Sequence, residues 1–204
     1  MKKQIFTILV LSSLLFSSCK YGWEEGLYRK ANVNTRASAV KELTAETVPS
    51  SPSALSGKYT VAVISDVHFG AKAGNGIDNI SGRFLDWLKT LSEKNELPAF
   101  IICLGDIAEC GTKSEIQNYA DFIKLVEDTY AIKTYTILGN HDLYNSGWNN
   151  WKNIVAPYTS FYHFTTKTFS WYFVDSASGS LGTNQYEKLK DVMKKDTAPK
   201  IVCS

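Results

Sequence analysis

The chain has 204 residues, of which 44% are hydrophobic, 13% aromatic and 21% charged, with a formal net charge of +2. That length supports one globular domain with a sizeable core and not two full-sized ones. The apolar fraction excludes a disordered chain, and five prolines with 13 glycines exclude a collagen-like or low-complexity one. A pI near 8.2 lacks the strong basic bias of a nucleic-acid binder, so no binding to a nucleic-acid polymer is expected.

Met1 to Lys3 is a short positive segment, and Ile5 to Phe16 is an almost continuous apolar run. The run is shorter than the roughly 20 residues a bilayer-spanning helix needs, which favours a signal peptide over residues 1–18. It ends in Phe16-Ser17-Ser18-Cys19, which resembles the lipobox of bacterial lipoproteins, with Phe16 where leucine is usual. The resemblance implies cleavage before Cys19, lipidation of its sulfur, and an exported protein anchored to a membrane of the bacterial cell envelope. Removal of Lys2 and Lys3 with the signal leaves basic and acidic residues equal in number. From Lys20 to about Lys58 the hydrophobic period is lost, and Thr44 to Gly57 is rich in Ser, Thr, Ala and Pro. Residues 19–57 therefore read as a solvated tether, and 58–204 as the domain.

Tyr59 to Ser65 is a β-branched run that stops at Asp66; Phe100 to Leu104 stops at Gly105-Asp106; Thr134 to Leu138 stops at Gly139-Asn140-His141-Asp142. The first two are nearly continuous in apolar residues, as expected of strands buried on both faces. Between them, Phe84, Trp87, Leu88 and Leu91 share one helical face, and Ile116, Tyr119, Ile123, Val126 and Tyr130 line another. The second helix is opened by Thr112-Lys113-Ser114-Glu115, which fits a capping box. Alternating strands and helices predict an α/β fold with a parallel sheet built from right-handed crossovers. In such sheets ligands sit beyond the carboxyl ends of the strands. Asp66, Asp106 and Asn140 each fall on the first or second residue past an apolar run, so three separated segments are expected at one sheet edge.

Carboxylate, imidazole and amide oxygen together suit a hard or borderline divalent or trivalent metal. Asp66-Val67-His68 puts two ligands on the same side if the chain stays extended. Asp106 has oxygens enough to bridge two ions, and two-metal hydrolytic sites hold their ions about 3.5–4 Å apart. Cys103 and Cys203 lie in apolar strand-like runs and read as free buried thiols; with Cys110 they form no CxxC pair. No GxxxxGK loop is present, which argues against an NTP-driven kinase or ATPase. His163, in the aromatic stretch Phe161-Tyr162-His163-Phe164, is left out of the site. Tyr144, Trp148 and Trp151 belong to an Asn-rich loop that either walls a substrate cleft or packs as scaffold.

Asp66-x-His68, Gly105-Asp106-x-x-Glu109 and Gly139-Asn140-His141-Asp142 resemble the first three signature blocks of the calcineurin-like metallophosphoesterases. The resemblance implies a β-sandwich flanked by helices and two divalent or trivalent metal ions, such as Mn, Fe or Zn. It implies that Asp66 and His68 bind the first metal, Asp106 bridges, and Asn140 binds the second. His141 matches the position that donates a proton to the leaving group or stabilises the phosphoryl charge, with Asp142 orienting its imidazole. Glu109 stands where the family often has an acidic residue or Asn, and its role stays open.

The family has two further histidine-bearing blocks, whereas this sequence contains only His68, His141 and His163. Asp175 to Gly182 resembles the family's later turn. Tyr186, Leu189 and Met193 mark a helical face, and Lys200 to Ser204 resembles the strand before the first missing histidine. The expectation is an amino-terminal part of the catalytic domain, incomplete at its carboxyl end, which alone binds metal weakly and has little or no turnover. The complete protein is expected to be a metal-dependent phosphoesterase acting on monoesters or diesters. The alternative is a non-catalytic surface lipoprotein that uses a degenerate phosphoesterase scaffold for binding. A metallohydrolase of non-phosphate esters fits the Gly-Asn-His-Asp block poorly.

Overall fold

The first described element is a short helix, α1 (Val33–Arg36), capped by the Asn32 side chain, which accepts from the Thr35 N–H. A two-residue strand, β1 (Lys41–Glu42), follows. The structure is a computed structural model that describes residues 32–44, 57–71 and 77–204, with backbone alone for 77–81. The expected signal peptide, Cys19 and most of the expected tether lie outside the described residues. Among those described, no helix is long and apolar enough to cross a membrane.

Residues 32–44 correct the expectation of a solvated tether over 19–57. Val33, Ala37 and Leu43 are buried in the core, and β1 pairs in parallel with a strand more than a hundred residues later. Three apolar side chains at irregular spacing carry no period, so this packing left no pattern to read.

The strand β2 (Val61–Ile64), helix α2 (Ile77–Glu93), strand β3 (Phe100–Cys103), helix α3 (Lys113–Tyr130) and strand β4 (Thr134–Thr136) form the expected alternation. The three strands make one parallel sheet in the order β2-β3-β4. The capping box of α3 is present, with the Thr112 hydroxyl accepting from the Glu115 N–H and the Glu115 carboxylate accepting from the Thr112 N–H. Both-face burial holds for β3, whose four residues are buried, but not for β2. Val63 is 59% exposed, because β2 is the outer strand of the described sheet. On α2, Leu88 is buried and Trp87 exposed, so the apolar face is narrower than its sequence.

A 3-10 segment (His141–Ser146) leads into helix α4 (Gly147–Ile154). Then come strands β5 (Tyr162–Thr165) and β6 (Ser170–Phe173), helix α5 (Thr183–Lys195) and strand β7 (Lys200–Cys203). The second sheet runs β1-β5-β6-β7, with only β5 and β6 antiparallel. Phe100, Ile102 and Tyr135 from the first sheet pack with Tyr162, Phe164, Trp171 and Phe173 from the second. This is the core of a two-sheet sandwich. Helices α2 and α3 cover the outer face of the first sheet through Leu88, Val126 and Tyr119. Helix α5 covers the second through Leu189, packed with Tyr172 and Val174. Of the face expected on α5, Leu189 is buried while Tyr186 is exposed. The α/β sandwich flanked by helices is the architecture expected from the sequence.

Candidate metal and phosphoryl site

The first two βα loops leave the sheet side by side. The parallel ladder continues past the strands, with Asp66 N–H donating to Gly105 O, His68 N–H to Asp106 O and Phe69 N–H to Ile107 O. These bonds carry Asp66 and His68 up to Asp106. Ligand atoms of the three residues lie within 4.8 Å of one another, and His68 Nε2 is 3.8 Å from Asp66 Oδ1. The segment is not extended, as the spacing argument supposed. Asp66 (φ 54°), His68 (φ 44°) and Asp106 (φ 49°) all lie in the left-handed region, which costs a non-glycine residue about 1–2 kcal/mol. Such outliers cluster where a site needs a side chain aimed against the local preference.

The third loop reaches the same rim through glycine. A Cβ on Gly139 would lie 2.9 Å from Asp106 Cα and overlap the Asp106 amide and Oδ1; one on Gly105 would lie 2.7 Å from Gly139 N. The two loops thus touch at positions where only hydrogen fits. Asp106 Oδ1 accepts from the His141 N–H at 2.9 Å, and Asn140 lines a cleft of about 600 Å³ together with Asp106 and Gly139. That volume suits a small organic ligand.

His141 and Glu109 complete the rim. The His141 ring stands edge-on to His68 at 4.7 Å between centroids, and its Nδ1 is 2.7 Å from the Glu109 carbonyl oxygen. A carbonyl only accepts, so Nδ1 carries a proton and donates it, leaving Nε2 as the variable nitrogen. The Glu109 carboxylate turns to His68 instead, with Oε2 2.9 Å from Nδ1. Alignment for a hydrogen bond is lacking there.

Asp142 does not orient His141, contrary to the expectation. Its carboxylate is wholly buried and accepts from the Ala108 N–H at 2.9 Å and the Gly139 N–H at 2.8 Å. It ties the second loop to the third. Burial pushes the carboxyl up to about 7, against the backbone N–H groups of Gly139, Ala108 and Ile107 that lower it. Imidazole orientation falls to a backbone carbonyl, a partner no motif reveals.

The aromatic segment after Asp142 divides. Asn145 and Ser146 take left-handed φ and break the 3-10 turn from α4. Trp151 is buried on the inner face of α4 and Trp148 packs against the same core cluster, while Tyr144 is 41% exposed, lines the cleft and lies 5.0 Å from the His141 ring. Helical scaffold and cleft wall are thus both present. Sequence reasoning missed the other wall, Ser176–Gly179, which has no ionisable residue to mark it. His163 lies on the second sheet, stacked on Tyr172 at 5.3 Å, and burial lowers its pKa. Cys103, Cys110 and Cys203 are free. Burial pushes the Cys103 thiol up to about 12 and that of Cys203 up to about 11, so neither offers a thiolate.

The donor set fits a cation. Two carboxylates and an imidazole converge at Asp66, Asp106 and His68, and among the described residues no lysine or arginine pairs with either carboxylate. Oxygen and nitrogen donors without sulfur suit Mn, Fe or Zn rather than a soft ion. The sequence model of the calcineurin-like phosphoesterase family matches residues 59–201. No curated protein matches the chain.

Proposed function

The chain belongs to the calcineurin-like phosphoesterase family, and on that footing we propose that it hydrolyses phosphate monoesters or diesters at the rim of Asp66, His68, Asp106, Asn140 and His141. The carrying observation is that three candidate ligands from two loops lie within 4.8 Å of one another, all with backbone in the left-handed region. Asp66, His68 and Asp106 would hold one metal ion, and Asp106 with Asn140 a second. A metal pair held by these residues would lower the pKa of a water and draw charge from a phosphoryl oxygen. Within the chain itself, the Glu109 carbonyl fixes the proton of His141 on Nδ1. His141 Nε2 is then the atom that delivers a proton to the departing oxygen. Tyr144 and Ser176–Gly179 enclose the group esterified to phosphate.

The test is calorimetric titration with Mn²⁺ joined to hydrolysis of 4-nitrophenyl phosphate and its bis-aryl diester, by the chain together with any residues encoded downstream. Asp106→Ala is expected to weaken the metal by more than about a hundredfold, beyond the 10–100-fold typical of losing a supporting partner. Chelator-sensitive activity on one of the esters is expected. Its absence on both, across Mn, Fe, Zn and Ni, would overturn the enzymatic reading and leave a binding scaffold.

The apolar run to Phe16 and Cys19 support a second element of the proposal: export and lipid anchoring at the cell envelope. Radiolabelled palmitate is expected to enter the protein and to be lost in Cys19→Ala. Equal labelling of both would remove the anchor.

A further inference from the structure

Among the residues that line the cleft, Ser176–Gly179 is the stretch held from farthest away in sequence. It follows directly on Asp175, whose side chain is 0% exposed and faces Arg36, also 0% exposed. Arg36 Nε donates to Asp175 Oδ2 at 2.8 Å and Nη2 to Oδ1 at 3.0 Å, a two-pronged fork across 139 residues of sequence. The same Nη2 donates to Ser178 Oγ at 2.7 Å, inside the wall itself. The Asp175 backbone is held separately, its N–H donating to Gln185 Oε1 and its carbonyl accepting from Gln185 Nε2, each at 2.8 Å.

Arg36 rides on a segment that is itself seated. Val33 and Ala37 are buried with Leu189 of α5. The Asn184 N–H donates to Asn34 Oδ1, and a Cβ on Gly182 would lie 2.6 Å from Val33 Cγ1. A buried ion pair is a poor device for stability alone, since apolar residues of equal volume do as well. A fork that also takes a cleft hydroxyl is a good device for fixing direction.

We infer that Arg36 is a positioning residue for the bound ester: it sets Ser178 and the 176–179 wall, and so selects the group that the phosphate carries. This rests on the phosphoesterase reading, which places the phosphoryl group at Asp106 and Asn140 in the same cleft. Phosphate itself needs only the metal-facing end; the esterified group meets the wall.

Calorimetry in Mn²⁺ on the chain together with any residues encoded downstream separates the two ends, using inorganic phosphate and phenylphosphonate, whose ring cannot be cleaved off by hydrolysis. Arg36→Lys keeps the charge and loses the fork. It is expected to weaken phenylphosphonate about tenfold while moving phosphate less than about twofold. Ser178→Ala spares the ion pair and is expected to shift phenylphosphonate in the same direction by less; it decides the matter if Arg36→Lys does not fold. Hydrogen exchange is expected to quicken at 176–179 in Arg36→Lys and to hold at 139–147. Equal weakening of both ligands, or an unaltered phenylphosphonate affinity in a folded variant, overturns the proposal. If the unmutated chain binds neither ligand, the phosphoesterase reading fails on its own. Exchange then decides for Arg36: a change confined to 176–179 upholds it as the setter of that wall, and a uniform change or none overturns it.

Discussion

A chain beginning at residue 45 is expected to lose the cooperative unfolding transition that a chain beginning at residue 32 keeps. The shorter chain lacks Arg36, and Asp175 is left as a buried carboxylate with no counter-charge, a defect that costs about 3–5 kcal/mol. It also lacks Val33 and Leu43, both buried, each worth about 1.5–3 kcal/mol. The carbonyls of Phe161 and His163 lose the N–H groups of Lys41 and Leu43. Together these losses are comparable with the roughly 5–15 kcal/mol that holds a whole domain. Thermal unfolding followed by far-ultraviolet circular dichroism compares the two chains directly. A sharp transition in the shorter chain, within a few degrees of the longer, would mean that residues 32–44 only decorate the surface. The match to the family begins at residue 59, so a boundary drawn from the family alone would remove this segment.

Gly139→Ala is expected to separate the second and third loops and to weaken metal binding by the chain together with any residues encoded downstream. The added methyl would press on the Asp106 amide, Cα and carboxylate together. Backbone cannot rotate out of the way as a flexible side chain can. Overpacking of this kind costs about 1–3 kcal/mol, and the greater damage is to placement. A 1 Å displacement of a catalytic group costs about a hundredfold in rate, and Asp106 is the carboxylate that would serve both ions. Gly82→Ala provides the contrast. A Cβ there meets nothing within 4 Å and the residue lies within α2, so a gain of roughly 0.5–1 kcal/mol is expected. Chemical denaturation and Mn²⁺ titration of both variants check the pair. Unchanged metal affinity in Gly139→Ala would show that the loops have room to adjust.

The legible parts of the sequence were those in which one local pattern carried the fact. The runs at Tyr59 and Phe100 announced strands because they are nearly continuous in apolar and β-branched residues. Thr112 and Glu115 announced a helix start because the capping box is closed within four residues. Asp66, Asp106 and Asn140 were legible as a set because chain topology alone brings strand ends together. Facts that depend on distant partners left no local trace. Arg36 stands in a polar stretch and gains its meaning only from Asp175, 139 residues away. The family resemblance implied that Asp142 orients the His141 imidazole, yet its own partners are backbone groups at Ala108 and Gly139. Tyr144 and Trp151 lie seven residues apart and would share a face on a continuous helix. The left-handed turn at Asn145 and Ser146 resets the phase and sends one to the cleft and the other to the core.

The ladder that runs on beyond the formal ends of β2 and β3 bears on how the cation is received. Asp66, His68 and Phe69 give their amide hydrogens to the neighbouring loop, so the main chain beneath the donors is already fastened. In a zinc-finger peptide the ion must organise the polypeptide around itself, and binding is then inseparable from folding. Here the entropy of arranging the donors falls on the sheet, and what remains for the ion is to relieve the mutual repulsion of carboxylates held close in advance.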